Sequence, residues 1–475
     1  MKVLFATSEA YPFAMSGGLG DVSGALPAAL RSRFVGCRVV MPLYEDIPKE
    51  LQEKMTFITS ITVPVAWRRQ YCGIFEAKYN RVTYYFIDNQ YYFKRHGLYG
   101  YYDDAERFAF FSRAVLEMLP AIGFFPDVVH CNDWQTALIP TYLNLFYGQL
   151  AGYGNIKTVL TIHNIQYQGK YGMQLLEDVL GIPYNKKQLL EYDGDVNILK
   201  GGIETTHIVT TVSPTYAREI MDPWYSYGLD NILKQRSWKL HGIVNGIDTH
   251  VYDPETDPFI SHNYSASELL GKRENKEELQ ELLGLEVRPD VPIVSMVSRM
   301  VGHKGFDLVK FAFEELMNSE IQFVILGSGE WVFESFFDEM SVKYPGKFAL
   351  KTGFFPEFAH KIYAGSDIFL MPSKSEPCGL SQMIALRYGA VPVVRETGGL
   401  KDTITDSGDG SGNGFTFQTY NAGDMTAAVY RALSLYYDHK DAWEKLVVRA
   451  MECDNSWKKS ASEYIKLYKA ICGVS

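Results

Sequence analysis

The strongest constraint on this chain is an alternation that runs from end to end. Short apolar, β-branched runs are separated by longer amphipathic stretches, the pattern of βαβ units on a parallel sheet. In the first half the runs fall at 3–8 (VLFATS), 37–42 (CRVVMP), 82–88 (VTYYFID), 127–131 (DVVHC), 158–163 (TVLTIH) and 207–212 (HIVTTV). The pattern restarts at 291–298 (VPIVSMVS) and continues at 321–327, 348–353, 367–372 and 390–394. The doubling predicts an α/β protein of two doubly wound Rossmann-like domains, 1–245 and 246–475. Between them HGIVNGIDTHVYDPETDP (241–258), dense in Gly, Asn, Asp and Pro, reads as a connecting loop system with a hinge near residue 245. A closing helix is expected over about 456–472, packing back on the N-terminal domain. Ligands of open α/β sheets lie beyond the carboxyl ends of the strands, so the two sheets are expected to face a central cleft.

Charge narrows the ligands. With 46 basic and 56 acidic side chains the net charge is −10, so no global positive field favours nucleic acid or an anionic membrane, and any bound anion must be held locally. Six scattered cysteines without a C-x-x-C pair argue against a zinc ribbon and a disulfide framework, and fit the cytoplasm. The first apolar run meets Glu9 too early for a signal peptide, and no stretch approaches the ~20 apolar residues of a membrane span.

Loops after strands are where chemistry is expected. Gly17, Gly18 and Gly20 lie between the first strand and first helix, where backbone N–H groups can approach an anion; a tight turn that binds nothing is the bland alternative. LGSGE (326–330) and TGGL (397–400) repeat the device, and three such loops suggest a diphosphate ligand. Neither G-x-G-x-x-G nor the P-loop pattern occurs in its expected context, which weakens dehydrogenase and ATPase readings. Arg299 and Lys304 follow a buried strand, where two cations could neutralise a diphosphate leaving group or simply form a solvated surface pair. Glu376, in SEPCGL, opens a helix, a place suited to sugar hydroxyls or to a structural cap. His130, Cys131 and Asp133 are too close along one strand to converge on a zinc ion. Tyr99, Tyr101, Tyr102 and Trp134 are candidates to stack on sugar faces.

Taken together, MSGGLGDVSGALP, HCNDWQTALIP, LTIHNIQYQG, TVSPTYAREI, VNGIDTHVYDPETD, SRMVGHKGFDL and PSKSEPCGLSQMIALRYGAVPVVRETGGLKDT resemble the bacterial glycogen synthases and plant starch synthases, in order and over almost the whole chain. The resemblance implies a retaining glucosyltransferase of B-type glycosyltransferase architecture. Its donor would be ADP-glucose and its acceptor the non-reducing 4-OH of an α-1,4-glucan, with no metal or other cofactor. It assigns catalytic roles to Glu376, His163, Arg299, Lys304 and Asp133, the cationic pair on the departing diphosphate and Asp133 on the acceptor side. Substrate contacts fall to Met15, Gly17, Gly18, Asp21, Asn245, Cys378, Gly379, Leu380, Thr397, Gly398 and Gly399. A cytoplasmic enzyme is implied, or a plastid one after removal of a transit peptide. Lesser departures from the pattern are Gln135 and Gly302-His303. The principal one is Met15, where the resemblance implies Lys. Losing a charge-assisted contact of that kind is worth roughly 1.5–3 kcal/mol. Met15 therefore keeps two other readings open: a changed donor preference such as UDP-glucose, and a weakly catalytic glucan-binding protein.

Overall fold

A computed structural model describes residues 1–474. The chain divides into two compact units, residues 1–245 with the helix Trp457–Cys472, and residues 246–456. The closing helix thus clusters with the first unit, although it follows the second in sequence.

The first unit is built on nine strands: β1 (Lys2–Ala6), β2 (Gly36–Pro42), β3 (Thr56–Val65), β4 (Arg68–Tyr79), β5 (Val82–Asp88), β6 (Val128–Asn132), β7 (Lys157–Ile162), and, after a small sheet of β8 (Lys170–Gly172), β9 (Glu191–Tyr192) and β10 (Asp195–Asn197), β11 (Ile208–Thr211) and β12 (Leu240–Gly242). The large sheet runs β12-β11-β7-β6-β1-β2-β5-β4-β3. It is parallel from β12 to β5, and β4 and β3 add an antiparallel hairpin at one edge. The central strands are mostly apolar and buried on both faces, as parallel strands covered by helices must be, with a few buried polar residues in β6, β7 and β11.

The closing helix is held by tyrosines. Tyr468 Oη lies 2.6 Å from His130 Nδ1, and His130 Nε2 lies 2.6 Å from Thr161 Oγ1. This buried string ties the helix to β6 and β7. Burial without a countercharge pushes the His130 imidazole down to about 3, so it is neutral.

The second unit holds six strands, β13 (Ile293–Val297), β14 (Gln322–Gly327), β15 (Phe348–Thr352), β16 (Ile368–Met371), β17 (Val391–Arg395) and β18 (Phe415–Phe417), all parallel, in the order β15-β14-β13-β16-β17-β18. This is the 3-2-1-4-5-6 order of a dinucleotide-type fold, whose direction reverses between β13 and β16. The loop system expected at 241–258 is fastened to this unit: Asp257 accepts from Tyr388 Oη at 2.5 Å and pairs with His360 Nδ1 at 2.7 Å, and Arg387 pairs with Asp253 at 2.8 Å.

Candidate functional site

Each unit gathers residues at its own switch point. In the second unit the loops that follow β13 and β16 are neighbours because those strands pair. The turn Gly302–Lys304 after β13 ends at Gly305, whose φ of 83° favours glycine and where an added methyl would run into the Pro372 carbonyl. That close approach brings Lys304 to the loop after β16. There its Nζ lies 2.6 Å from Glu376 Oε2, which also accepts from Ser373 Oγ at 3.1 Å. Glu376 is only 5% exposed, whereas Arg299 is exposed. A buried carboxylate is tolerated here because it is paired and hydrogen-bonded. Lys374 donates its amide to the His303 carbonyl at 2.9 Å, which joins the two loops a second time.

The glycine loops of this unit are packed tightly against their neighbours. An added methyl would strike the Glu376 carbonyl from Gly398, the Cys378 carbonyl from Gly399, the Ser298 carbonyl from Gly327 and the Met300 carbonyl from Gly329. The Gly399 amide donates to the Glu376 and Pro377 carbonyls at 3.1 Å, the Thr397 amide to Arg395 at 2.9 Å, and the Gly329 amide to Glu334 at 2.6 Å. LGSGE and TGGL therefore pack closely on the Arg299 and Glu376 loops and help to set them, and Thr397–Gly399 also opens the helix Gly398–Thr403. Thr397 is fully buried under the Glu376 loop. Cys378 is buried as well, and Gly379, at φ 73°, turns the chain so that Gln382 Nε2 reaches the Cys378 and Gly379 carbonyls at 3.0 Å each. Leu380 is half-buried at the start of the helix Ser381–Arg387.

In the first unit the direction reverses between β1 and β6, and the loops that follow them carry the other group. Asp133, directly after β6, holds a φ of 56°, uncommon for a residue with a side chain. This strained turn lets its Oδ1 accept the His163 amide at 2.7 Å. Burial pushes the Asp133 carboxyl up to about 7, opposed by the His163 and Asn164 amides. His163 Nε2 lies 2.9 Å from Asn132 Oδ1. Because Asn132 Nδ2 donates to the Ala6 carbonyl at 2.9 Å, its oxygen is the atom facing the ring. His163 must then carry its proton on Nε2, leaving Nδ1 as an acceptor. Burial holds this imidazole down to about 3, so it is neutral at working pH.

Of the first-unit glycines, Gly17 and Gly18 differ from those of the second: an added methyl at either meets nothing within 4 Å. This loop is open. Gly20 instead packs on the Met15 side chain, which is 39% exposed. Asp21, in the first turn of the helix Gly18–Ser32, is pushed up to about 6 by burial. Asn245 is buried with its Oδ1 lacking a partner among the described residues.

Three residues not assigned a role from the sequence belong to these groups: Glu9, which accepts from Ser16 beneath the open loop and lies outside every quoted motif, and Asn132, which sets the His163 tautomer, and Ser373, both of which stand inside quoted motifs. For Glu9 the signal is position, since an acid three residues past a strand whose last four residues are buried and apolar sits where this fold puts ligands. Of the four aromatic candidates, Tyr101 lies 4.9 Å from both Arg95 and Arg107, and Tyr99 Oη bonds Ser8 Oγ at 2.7 Å. Tyr102 is fully exposed. Trp134 lines a pocket of about 400 Å³ with Tyr167, Tyr171, Tyr227, Gln168 and Lys170. Among the described residues no cluster of three or more His, Cys, Asp or Glu could hold a metal ion, and no helix is long and apolar enough to cross a membrane.

Comparison with known proteins supplies the chemistry that such a pair of sites serves. Residues 2–235 match the starch synthase catalytic domain and residues 284–445 the group 1 glycosyl transferases. The chain is 50% identical over 475 residues to the glycogen synthase of Geobacillus thermodenitrificans, covering 99% of this chain and 98% of that one. It is also 50% identical to the glycogen synthase of Bacillus anthracis, over 99% and 100% of the two chains. The catalytic domain of starch synthase IV from Arabidopsis thaliana, solved bound to ADP and acarbose, superposes with a TM-score of 0.93 at 35% identity over 99% of both chains. A sucrose-phosphate synthase from Thermosynechococcus elongatus, at 15% identity and a TM-score of 0.64, shares the fold alone. The two parallel α/β units are those of a B-type glycosyltransferase, and this chain belongs to the glycogen and starch synthase family of retaining glucosyltransferases.

Proposed function

We propose that the chain elongates an α-1,4-glucan in the cytoplasm by moving glucose from ADP-glucose to the non-reducing 4-OH, without a metal ion. The observation that carries the residue assignment is the Lys304–Glu376 pair at the β13/β16 switch point, with Arg299 exposed on the same loop. Arg299 and Lys304 receive the diphosphate and stabilise the charge that develops on ADP as the glycosidic bond breaks. ADP in the solved starch synthase neighbour supports adenine as the base, and all six cysteines are free, as a reducing compartment requires.

Lys304 exchanges part of its contact with Glu376 for a phosphate oxygen, and Glu376 then faces the donor sugar, with Cys378, Gly379 and Leu380 beside it. From the first unit, His163 offers the Nδ1 lone pair to a donor hydroxyl. Asp133 takes the acceptor side, and the aromatic pocket that begins at Trp134 receives the glucan. Asp21, Gly17, Gly18 and Asn245 complete the donor contacts. Front-face attack, with the departing phosphate accepting the proton of the 4-OH, gives retention without a carboxylate nucleophile; the alternative double displacement would need one.

Donor choice turns on Met15. Its thioether offers the diphosphate no charge, so Met15→Lys is expected to lower the KM for ADP-glucose about tenfold or more, the worth of a charge-assisted contact. The check is initial-rate kinetics with ADP-glucose and UDP-glucose in competition. Preference for ADP-glucose by the natural chain supports the proposal. Preference for UDP-glucose, or glucan binding without turnover, overturns it.

A further inference from the structure

Beneath the open glycine loop lies a buried acid with no cation beside it. Glu9 is 3% exposed and follows β1, and its Oε2 accepts both the Ser16 amide and, at 2.8 Å, the Ser16 hydroxyl. The same turn is closed on the other side by the Tyr11 amide, which donates to the Gly20 carbonyl at 3.0 Å, and by the Ala10–Ala14 bridge. Between these ties Gly17 and Gly18 are exposed, with open space where a side chain would stand, in contrast to the packed glycines of the second unit, and the Gly17 amide also faces the Glu9 carboxylate. We propose that Glu9 is a positioning residue for donor binding, holding the Ser16–Gly18 turn open through the Ser16 amide and hydroxyl. The inference rests on the donor reading above and adds a residue to which no motif points.

The groups that act on Glu9 are Asp21 from the first helix, Asp133 from the end of β6, and the tyrosines Tyr44 and Tyr99. None is a cation. With only N–H and O–H donors to hold its charge, Glu9 is pushed by burial up to about 7. An ionised Glu9 grips Ser16 with charge-assisted bonds. As pH falls through that value the carboxyl gains a proton, the grip weakens and the turn loosens.

The test uses Glu9→Gln, which keeps size and one acceptor oxygen, and Ser16→Ala, which removes only the hydroxyl, in the full chain. Expected for Glu9→Gln are a KM about tenfold higher for the nucleotide-glucose that supports turnover and a kcat within about threefold of the parent. The rise of KM between pH 8 and pH 6 should shrink, while Asp21 and Asp133 retain a remainder of it. Ser16→Ala should show a smaller rise of the same kind. Hydrogen exchange of the 15–20 segment is read in parallel and needs no donor; it should speed up at least tenfold in Glu9→Gln. An unchanged KM and pH profile, or a loss in kcat alone, overturns the positioning role. Unchanged exchange overturns the clamp itself. If neither ADP-glucose nor UDP-glucose turns over while exchange accelerates as expected, the donor reading has failed and the clamp stands.

Discussion

Glu376→Gln is expected to lower kcat by about two to three orders of magnitude while leaving ADP binding intact or tightening it. Removing a single preorganised charged group from a transition-state site typically costs that much. The sign of the binding effect is the more telling part. Lys304 Nζ is engaged with Glu376 at 2.6 Å, so a diphosphate must compete with an internal carboxylate for the same ammonium. A neutral amide competes less, and the ammonium becomes more available to phosphate. Stopped assays for kcat with calorimetry for the ADP Kd check both halves. A kcat within threefold of the parent, or ADP binding weakened tenfold, would contradict the arrangement.

Lys304→Met should be the second most damaging change, and it should differ from Arg299→Ala in a defined way. Both remove a cation from the leaving group and are expected to lower kcat/KM by about 10²–10³. Only Lys304→Met leaves an unpaired buried carboxylate, because the Glu376 side chain is 7% exposed while that of Lys304 is 20% exposed. Breaking such a pair is destabilising, here by about 1–3 kcal/mol after allowance for the partial exposure of the ammonium. Arg299 is exposed and makes no ion pair among the described residues, so Arg299→Ala should lose activity with an unchanged melting temperature. Denaturation curves beside initial rates separate the two. Equal stability for both variants would mean that the Lys304–Glu376 pair contributes nothing to the fold.

Much of this was legible from residue order. Buried parallel strands such as VTYYFID and IQFVILG are continuous apolar runs, and the structure places strands at Val82–Asp88 and Gln322–Gly327. The β3–β4 hairpin was not foreseen. Its strands mix exposed Phe57, Ile58 and Tyr71 with polar residues at a sheet edge, and its turn is a left-handed Ala66 at φ 51° rather than a glycine. A turn made by the wrong residue type carries no sequence signal.

In the site, Arg299, Lys304 and Glu376 could be picked out because loops after parallel strands are where this fold places chemistry, whereas Asp133 and His163 were singled out by the family resemblance. Glycine was the letter whose packing the sequence left open. Gly17 and Gly398 sit in similar sequence settings, yet one faces open space and the other lies against the Glu376 carbonyl, and only the fold shows which glycine admits a neighbouring loop. The roles of Glu9 and Asn132 were hidden for a different reason. They act through the Ser16 and His163 side chains or amides they hold, and contacts across loops leave no spacing to read.

The most direct test of the account is the fate of the anomeric carbon. Proton NMR of the natural chain with ADP-glucose and a maltooligosaccharide should show a new α-1,4 anomeric signal appearing in one-to-one proportion with ADP, with no lag and no added metal. A β-linked product, free glucose in place of chain extension, or dependence on an added metal ion would contradict a cation-pair, front-face retaining transfer.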